Sequence, residues 1–203
     1  MDERAFVEEL AEATLGETFN FYREGPGAAF RRARLVEYLA ARAAARIVLV
    51  GEAAGYRGAR VSGLPFTSER QISGSGLAEA TATIVQRVLR ALRVEEDVLL
   101  WNVVPTHPHE PGRPDSNRRP TRGEALAGTA FLPPLLADRR VVAVGRLAAA
   151  ALGAPYVRHP SHGGAAEFEA GLAALVPGAK GKRDWPRCYN PLPADWPVRR
   201  SHA

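Results

Sequence analysis

Residues 47–70 read IVLVGEAAGYRGARVSGLPFTSER. The stretch opens with four apolar residues, Ile47 to Val50, three of them β-branched. That is the composition of a strand buried on both faces, as in a parallel sheet covered by helices. It passes directly into Gly51, Glu52 and a loop with glycines at 55, 58 and 63. In open α/β sheets ligands bind outside the carboxyl ends of the strands, so a carboxylate there is a candidate site residue. Tyr56, Pro65 and Phe66 add surface for something flat. The bland reading is a tight strand-to-helix turn with an exposed Glu52. Two glycine-loop chemistries are excluded. The spacing Gly51, Gly55, Gly58 is not a dinucleotide fingerprint, and no phosphate-binding P-loop motif occurs.

Further apolar runs also end in polar residues. Val98 to Trp101 leads into Asn102, Val141 to Val144 into Gly145 and Arg146, and Tyr156 to Arg158 into His159-Pro160-Ser161. Helical periodicity fills the intervals. A short helix over 2–14 carries Phe6, Val7 and Leu10 on one side. A longer one at about 28–45 buries Phe30, Leu35, Tyr38 and Leu39 and exposes Arg31, Arg32, Arg34 and Arg42. A third, at about 76–93, carries Leu77, Ile84, Val85, Val88, Leu89 and Leu92. Residues 105–120 form a long loop rich in Pro, His, Gly and Arg. Thr121 and Glu124 make a capping box that starts a helix, which Pro133 and Pro134 interrupt. A short alanine-rich helix follows Arg146, and another spans about 165–176. Alternating strands and helices predict an α/β fold: a three-layer α/β/α sandwich with a central four-stranded parallel sheet. The whole of 1–203 reads as one domain. Residues 177–203, basic and proline-rich with Trp185 and Trp196, read as a tail strapped to it.

The 203 residues suffice for one sizeable core, and 46% hydrophobic with 24% charged content is ordinary for a soluble globular protein. The apolar runs are far too short to span a membrane, and MDERAFVEEL is no signal peptide, so a cytoplasmic protein is expected. The single cysteine, Cys188, excludes an intrachain disulfide and any multi-cysteine zinc or iron–sulfur site, and reads as a bystander thiol. The net charge of +5 is carried largely by arginine, which suits a polyanionic partner. Arginine and alanine enrichment from a high-GC genome is the competing explanation.

Glu52, Asn102, Arg146 and His159 lie at the ends of strands that share one sheet edge, so Glu52, Asn102 and His159 can converge. Each alone is ordinary: an Asn after a strand is usually a turn residue, and a His before Pro a loop histidine. Together with their neighbours they resemble the uracil-DNA glycosylase superfamily. The resemblance rests on Gly51-Glu52-Ala53-Ala54-Gly55, close to the GEAPG of the thermophile-type branch, and on the Gly63-Leu64-Pro65-Phe66 that follows. It rests also on Asn102-Val103-Val104, on Asn117-Arg118-Arg119-Pro120-Thr121 and on His159-Pro160-Ser161. It covers about residues 47–172.

The resemblance implies a monofunctional glycosylase that hydrolyses the N-glycosidic bond of uracil in DNA and leaves an abasic site. His159 would donate a hydrogen bond to the uracil O2 as charge collects there. Glu52 would place a water or offset the charge of the sugar. Asn102 would read N3–H and O4, and Phe66 would stack on a base swung out of the duplex. Gly51, Ala53, Gly55 and Tyr56 would complete the base pocket. Arg118, Arg119, Ser161, His162 and Gly163 would meet the DNA backbone. DNA is the implied partner, free uracil the product, no metal or cofactor is needed, and a monomer suffices. The sequence departs from the family at several points. It lacks the four iron–sulfur cysteines of the GEAPG branch. Ala53 stands where the best-known branch has Asp, and Gly55 where that branch has a thymine-excluding Tyr, which makes Tyr56 the candidate gate. His162-Gly163-Gly164 offers no apolar wedge, and Pro120 stands near the histidine with which one branch crosslinks to DNA. Two alternatives remain open: a glycosylase for another deaminated base, such as hypoxanthine or xanthine, and a DNA- or nucleotide-binding module without the chemistry.

Overall fold

Successive side chains of a strand point to opposite faces of its sheet, and the central strand of this protein uses both. In the computed structural model, which describes residues 1–176, Val48 and Val50 face one helical layer while Ile47 and Leu49 face the other. The elements are α1 (Glu3–Glu12), β1 (Thr18–Phe19), α2 (Ala28–Ala41), β2 (Ile47–Ala53), α3 (Ala59–Ser62), α4 (Glu69–Ser73), α5 (Ala80–Leu92) and β3 (Val98–Val104). They continue as β4 (His107–Pro108), α6 (Arg122–Gly128), a 3-10 turn (Thr129–Phe131), α7 (Pro133–Leu136), β5 (Arg140–Val144), α8 (Arg146–Leu152), β6 (Tyr156–Val157) and α9 (Ala165–Leu175). The expected tail, with Trp185, Cys188 and Trp196, lies outside the described residues. No helix among the described residues is long and apolar enough to cross a membrane.

The main sheet is parallel, in the order β3-β2-β5-β6. The chain leaves β2 for β3 on one side and then crosses to β5 on the other. That reversal opens a crevice beyond the carboxyl ends of the central strands, where ligands of such sheets bind. Val85, Val88 and Leu89 of α5 pack with Phe168 and Leu172 of α9 on one face. Phe6, Leu35, Leu39, Phe131 and Leu152 pack over Trp101 and Val103 on the other. The three-layer α/β/α reading therefore holds.

Local boundaries differ from the sequence reading for identifiable reasons. β2 continues past its apolar run to Ala53, and β3 past Trp101 to Val104, because Gly51 pairs with Asn102 and Ala53 with Val104. Glu52 and Asn102 thus sit inside the last rungs of the ladder rather than beyond it. Phe30, expected inside, is 60% exposed. It stands five residues before Leu35, about 140° round the helix from the buried face, and the Arg34 guanidinium covers its ring at 4.3 Å. Leu77 is exposed because α5 starts only at Ala80.

The arginines expected to be free on α2 are half-buried and serve the fold. Arg31 donates to the carbonyls of Phe21, Glu24 and Pro26, Arg32 to that of Tyr22, and Arg34 to that of Ser62 and to Glu69. Basic composition here is partly a means of tying loops, and only partly a surface for anions.

An antiparallel ribbon of β1 and β4 was not foreseen, since two-residue strands leave no periodicity. It pairs Thr18 with Pro108 and Phe19 with His107, and the Thr18 and Thr106 hydroxyls share a bond of 2.6 Å. Beside it the expected capping box forms: the Glu124 carboxylate accepts the Thr121 N–H at 2.8 Å, and the Thr121 hydroxyl accepts that of Glu124 at 3.2 Å. Glu124 is also the anchor of the middle loop. It is 2% exposed and takes the Arg118 fork at 2.6 and 2.8 Å. The bond to Arg118 holds its carboxyl below the usual range although burial acts the other way. Glu124→Ala leaves the partly buried Arg118 unpaired, which costs about 3–5 kcal/mol, or roughly 10 °C in Tm. Because the folded pKa is depressed, this stabilisation is present above the ordinary carboxylate range and is lost as pH falls below about 4. The wild type therefore loses stability on acidification more steeply than the variant, as thermal melts across that range will register.

Candidate active site

A cavity of about 590 Å³ opens at the carboxyl edge of the sheet, between the ends of all four parallel strands. Glu52 and Ala53 reach it from β2, Asn102 from β3, Gly145 and Arg146 from the turn after β5, and His159 from the turn after β6. Two smaller concavities, near Arg46 and Asp97, lie at the opposite edge and gather no comparable set.

The back of the cavity is built by close approach. Gly51 and Asn102 are register partners, and Phe66 folds over them. A Cβ on Gly51 would collide with the Phe66 ring and stand 2.8 Å from Asn102 Oδ1, so only glycine allows the aromatic side chain to lie there. Phe66 itself takes a left-handed backbone, φ +49°, and is 9% exposed. Gln86 Nε2 donates to its carbonyl at 3.2 Å and holds the turn. Non-glycine residues in that region carry strain that gathers at functional sites.

Asn102 is 3% exposed, yet its amide makes no hydrogen bond among the described residues. The amide is not among the fully buried unpaired groups, so it opens onto the cavity, where its hydrogen-bonding capacity is available. It carries one acceptor oxygen and two donor hydrogens. No neighbour holds the amide by a hydrogen bond, so Asn102 by itself does not fix which way round it reads a base.

His159 has a defined tautomer. The Ser161 backbone N–H donates to its Nδ1 at 3.2 Å, and the Ser161 hydroxyl lies 2.7 Å away from the same nitrogen. An Nδ1 that accepts a backbone N–H carries no proton, so the neutral ring bears its hydrogen on Nε2. Burial, then the nearby His162 and Arg158, push the imidazole below its ordinary range, so it is neutral at physiological pH. The Ser161 hydroxyl is also 3.0 Å from His162 Nδ1. A buried histidine outside this group, His107, fixes the floor: its Nδ1–H donates to the Ala54 carbonyl at 2.9 Å and pins the end of the β2 loop.

Burial pushes the Glu52 carboxyl up, and the charge of Arg119 partly offsets this. Arg119 and Arg146 make no side-chain hydrogen bond among the described residues and line the cavity, Arg119 with its charge acting on Glu52. Arg118 does not. All five of its N–H groups are engaged, with Glu124 and with the carbonyls of His109, Arg119 and Glu17.

Residues 39–188 match the family model described as the uracil DNA glycosylase superfamily. The chain belongs to the uracil-DNA glycosylase superfamily. Membership makes it a DNA glycosylase, a hydrolase that acts on DNA. The solved structure of wild-type Pedobacter heparinus SMUG2 superposes with a TM-score of 0.60 at 12% identity, over 86% of this chain and 98% of that one. At that identity the likeness shows the shared fold. No curated protein matches the chain.

Of the residues that the superfamily motifs single out, Glu52, Ala53, Gly55, Phe66, Asn102, Arg118, Arg119, His159, Ser161 and His162 line the one cavity. Gly51 stands behind Phe66 and Asn102 rather than in the lining. Gly163, φ +79°, lies outside it with open space around its α-carbon. Tyr56 also turns away. Its ring centroid is 6.5 Å from that of His107, the Arg57 guanidinium lies over it at 5.2 Å, and its N–H donates to Asn117 Oδ1. Tyr56 therefore does not close the pocket beside Gly55. The sequence reading missed Glu79, which lines the cavity from the residue before α5. Only the glycine pair 55 and 58 hinted at it, through the volume that two absent side chains leave open.

Glu52→Gln separates charge from shape in this glycosylase. If the carboxylate offsets charge on the sugar or positions water, single-turnover base release falls by at least about 10-fold while DNA binding persists. Its folded pKa is raised, so the active ionised form is lost as pH falls, at a pH above the ordinary glutamate range. The rate–pH profile of the wild type shows that acid limb and the variant lacks it. An unaltered rate gives Glu52 a structural place only.

Proposed function

We propose that the chain is a monofunctional uracil-DNA glycosylase that hydrolyses the N-glycosidic bond of deoxyuridine and leaves an abasic site. The observation that carries this reading is the unpaired Asn102 amide on the wall of the cavity that a neutral His159 also lines. Uracil offers an N–H and a carbonyl side by side on one edge, which match an amide acceptor and donor. Its O2 gathers negative charge as the glycosidic bond breaks, and a preorganised donor lowers that barrier. Phe66 supplies a face for the ring. Glu52 supplies negative charge toward the sugar, and Arg119 and Arg146 meet phosphates beside the flipped nucleotide.

Hydrolysis without strand cleavage fits the residues present. A lyase step needs an amine to attack the sugar C1′, and the lysines of the sequence are Lys180 and Lys182, beyond the described residues. Among the described residues no three His, Cys, Asp or Glu side chains group as metal ligands. Uracil release from a uracil-containing oligonucleotide, measured in single turnover with chelator present, tests the reading. The expected products are free uracil and an intact strand with an abasic site. Activity lost in chelator and restored by a divalent ion overturns the metal-free mechanism, and no release under either condition overturns the function.

A second reading is favoured by one observation. The Asn102 amide is not held by a neighbour and can turn over, which suits bases with the opposite donor–acceptor order. A panel of oligonucleotides bearing uracil, hypoxanthine and xanthine distinguishes a uracil enzyme from one for another deaminated base.

A further inference from the structure

The Glu79 carboxylate has no role in the chemistry described so far, and it is conspicuously placed. It reaches the cavity from the residue before α5 and sits in a notch made by two glycines. A Cβ on Gly55 would lie 2.8 Å from its Oε1 and 3.0 Å from its Oε2, and a Cβ on Gly58 would collide with the carboxylate outright. The side chain thus fills the volume that a residue larger than glycine at 55 would take. Among the described residues it makes no hydrogen bond or ion pair through its carboxylate, and burial alone pushes its carboxyl up. Tyr56, the other candidate for this wall, is turned toward His107.

We infer that Glu79 is a specificity-determining wall of the base pocket, supplied from a distant part of the chain to the place beside Gly55, and that it rejects pyrimidines with a methyl group at C5. This rests on the uracil reading above. With Asn102 on the N3–O4 edge of the base, the adjoining C5 edge falls to the wall that Gly55 and Glu79 form in the same cavity. A methyl group there would overlap the Glu79 side chain. Displacement is resisted because the glycine notch holds the side chain from behind.

The test is the ratio of thymine to uracil release, in single turnover, from duplexes that differ only in the base opposite guanine. Wild type, Glu79→Ala and Glu79→Gln are compared, with thermal melts to confirm that each is folded. One methyl group in a tight pocket is worth roughly 10–200-fold. Glu79→Ala therefore raises the ratio by at least about 10-fold, and Glu79→Gln, of nearly equal volume, keeps the wild-type ratio. A Glu79→Ala ratio equal to the wild type overturns the inference, and so does a Glu79→Gln ratio that rises as far as that of Glu79→Ala. A wild type inert on uracil overturns the functional reading and this one with it, whereas an active wild type with an unmoved ratio overturns the wall alone.

Discussion

His159→Ala slows uracil release by about 10²–10³-fold in single turnover while DNA affinity changes little. The size follows from what the ring does. Its Nδ1 is occupied by the Ser161 N–H, so the Nε2–H is the remaining donor and needs no reorganisation when the leaving base becomes anionic. A donor fixed in advance in a partly desolvated cavity is worth far more than the same bond in water. The neutral state matters too. Burial above all, with the Arg158 charge nearby, keeps the ring unprotonated at neutral pH, so its contribution is a hydrogen bond rather than an ion pair. Because His159 is assigned to the leaving base and not to a phosphate, the loss is expected in the rate. A variant with near-normal single-turnover release would remove His159 from the mechanism.

Asn102→Asp abolishes most uracil release, by about 100-fold or more, and yields weak release of cytosine. In the proposed uracil complex the wild-type amide would turn its donor to O4 and its acceptor to N3–H. An ionised carboxylate only accepts, so it faces O4 with another acceptor, and each buried group left unpaired costs about 1–3 kcal/mol. Cytosine carries an amino donor where uracil has O4, which the carboxylate suits. Only a protonated side chain could also donate to cytosine N3, and the same proton would restore a donor to O4, so the two substrates are compared at a pH where the carboxylate is ionised. Matched uracil and cytosine oligonucleotides supply the comparison. Unchanged uracil release would mean that Asn102 does not read the base edge.

The sheet was legible because its strands are apolar on both faces, a pattern that survives without any knowledge of neighbours. Ile47 to Val50 and Val98 to Trp101 could hardly be anything else. Glu52, Asn102 and His159 followed from them, since strand direction alone carries three chain-distant residues to one edge. Residues placed by side-chain reach were not legible. Glu79 lies where no periodicity points, and its partners are two missing side chains. Tyr56 looked like a pocket residue by position, but its ring was drawn to His107 and Arg57. Arg118 looked like a phosphate ligand by motif, yet Glu124, six residues on, takes its charge. Phe30 shows the same limit on a helix, where a stripe fixes a face only if enough of its members agree.

The ribbon of β1 and β4 joins the start of the chain to the middle loop. The family-model match starts at residue 39, inside α2 and after β1, yet the segment before it is part of the cavity's support. Thr18 bonds to Thr106, the Glu17 carbonyl takes an Arg118 N–H, and Asn20 Nδ2 ties that same turn back to the Leu10 and Ala11 carbonyls of α1. One bank of the cavity, the loop that presents Arg119, is thereby moored to the start of the chain. The stretch matched by the family model and the stretch that holds the cavity in shape are then not the same length of polypeptide, and the loop that carries Arg119 keeps its place through contacts made before residue 39.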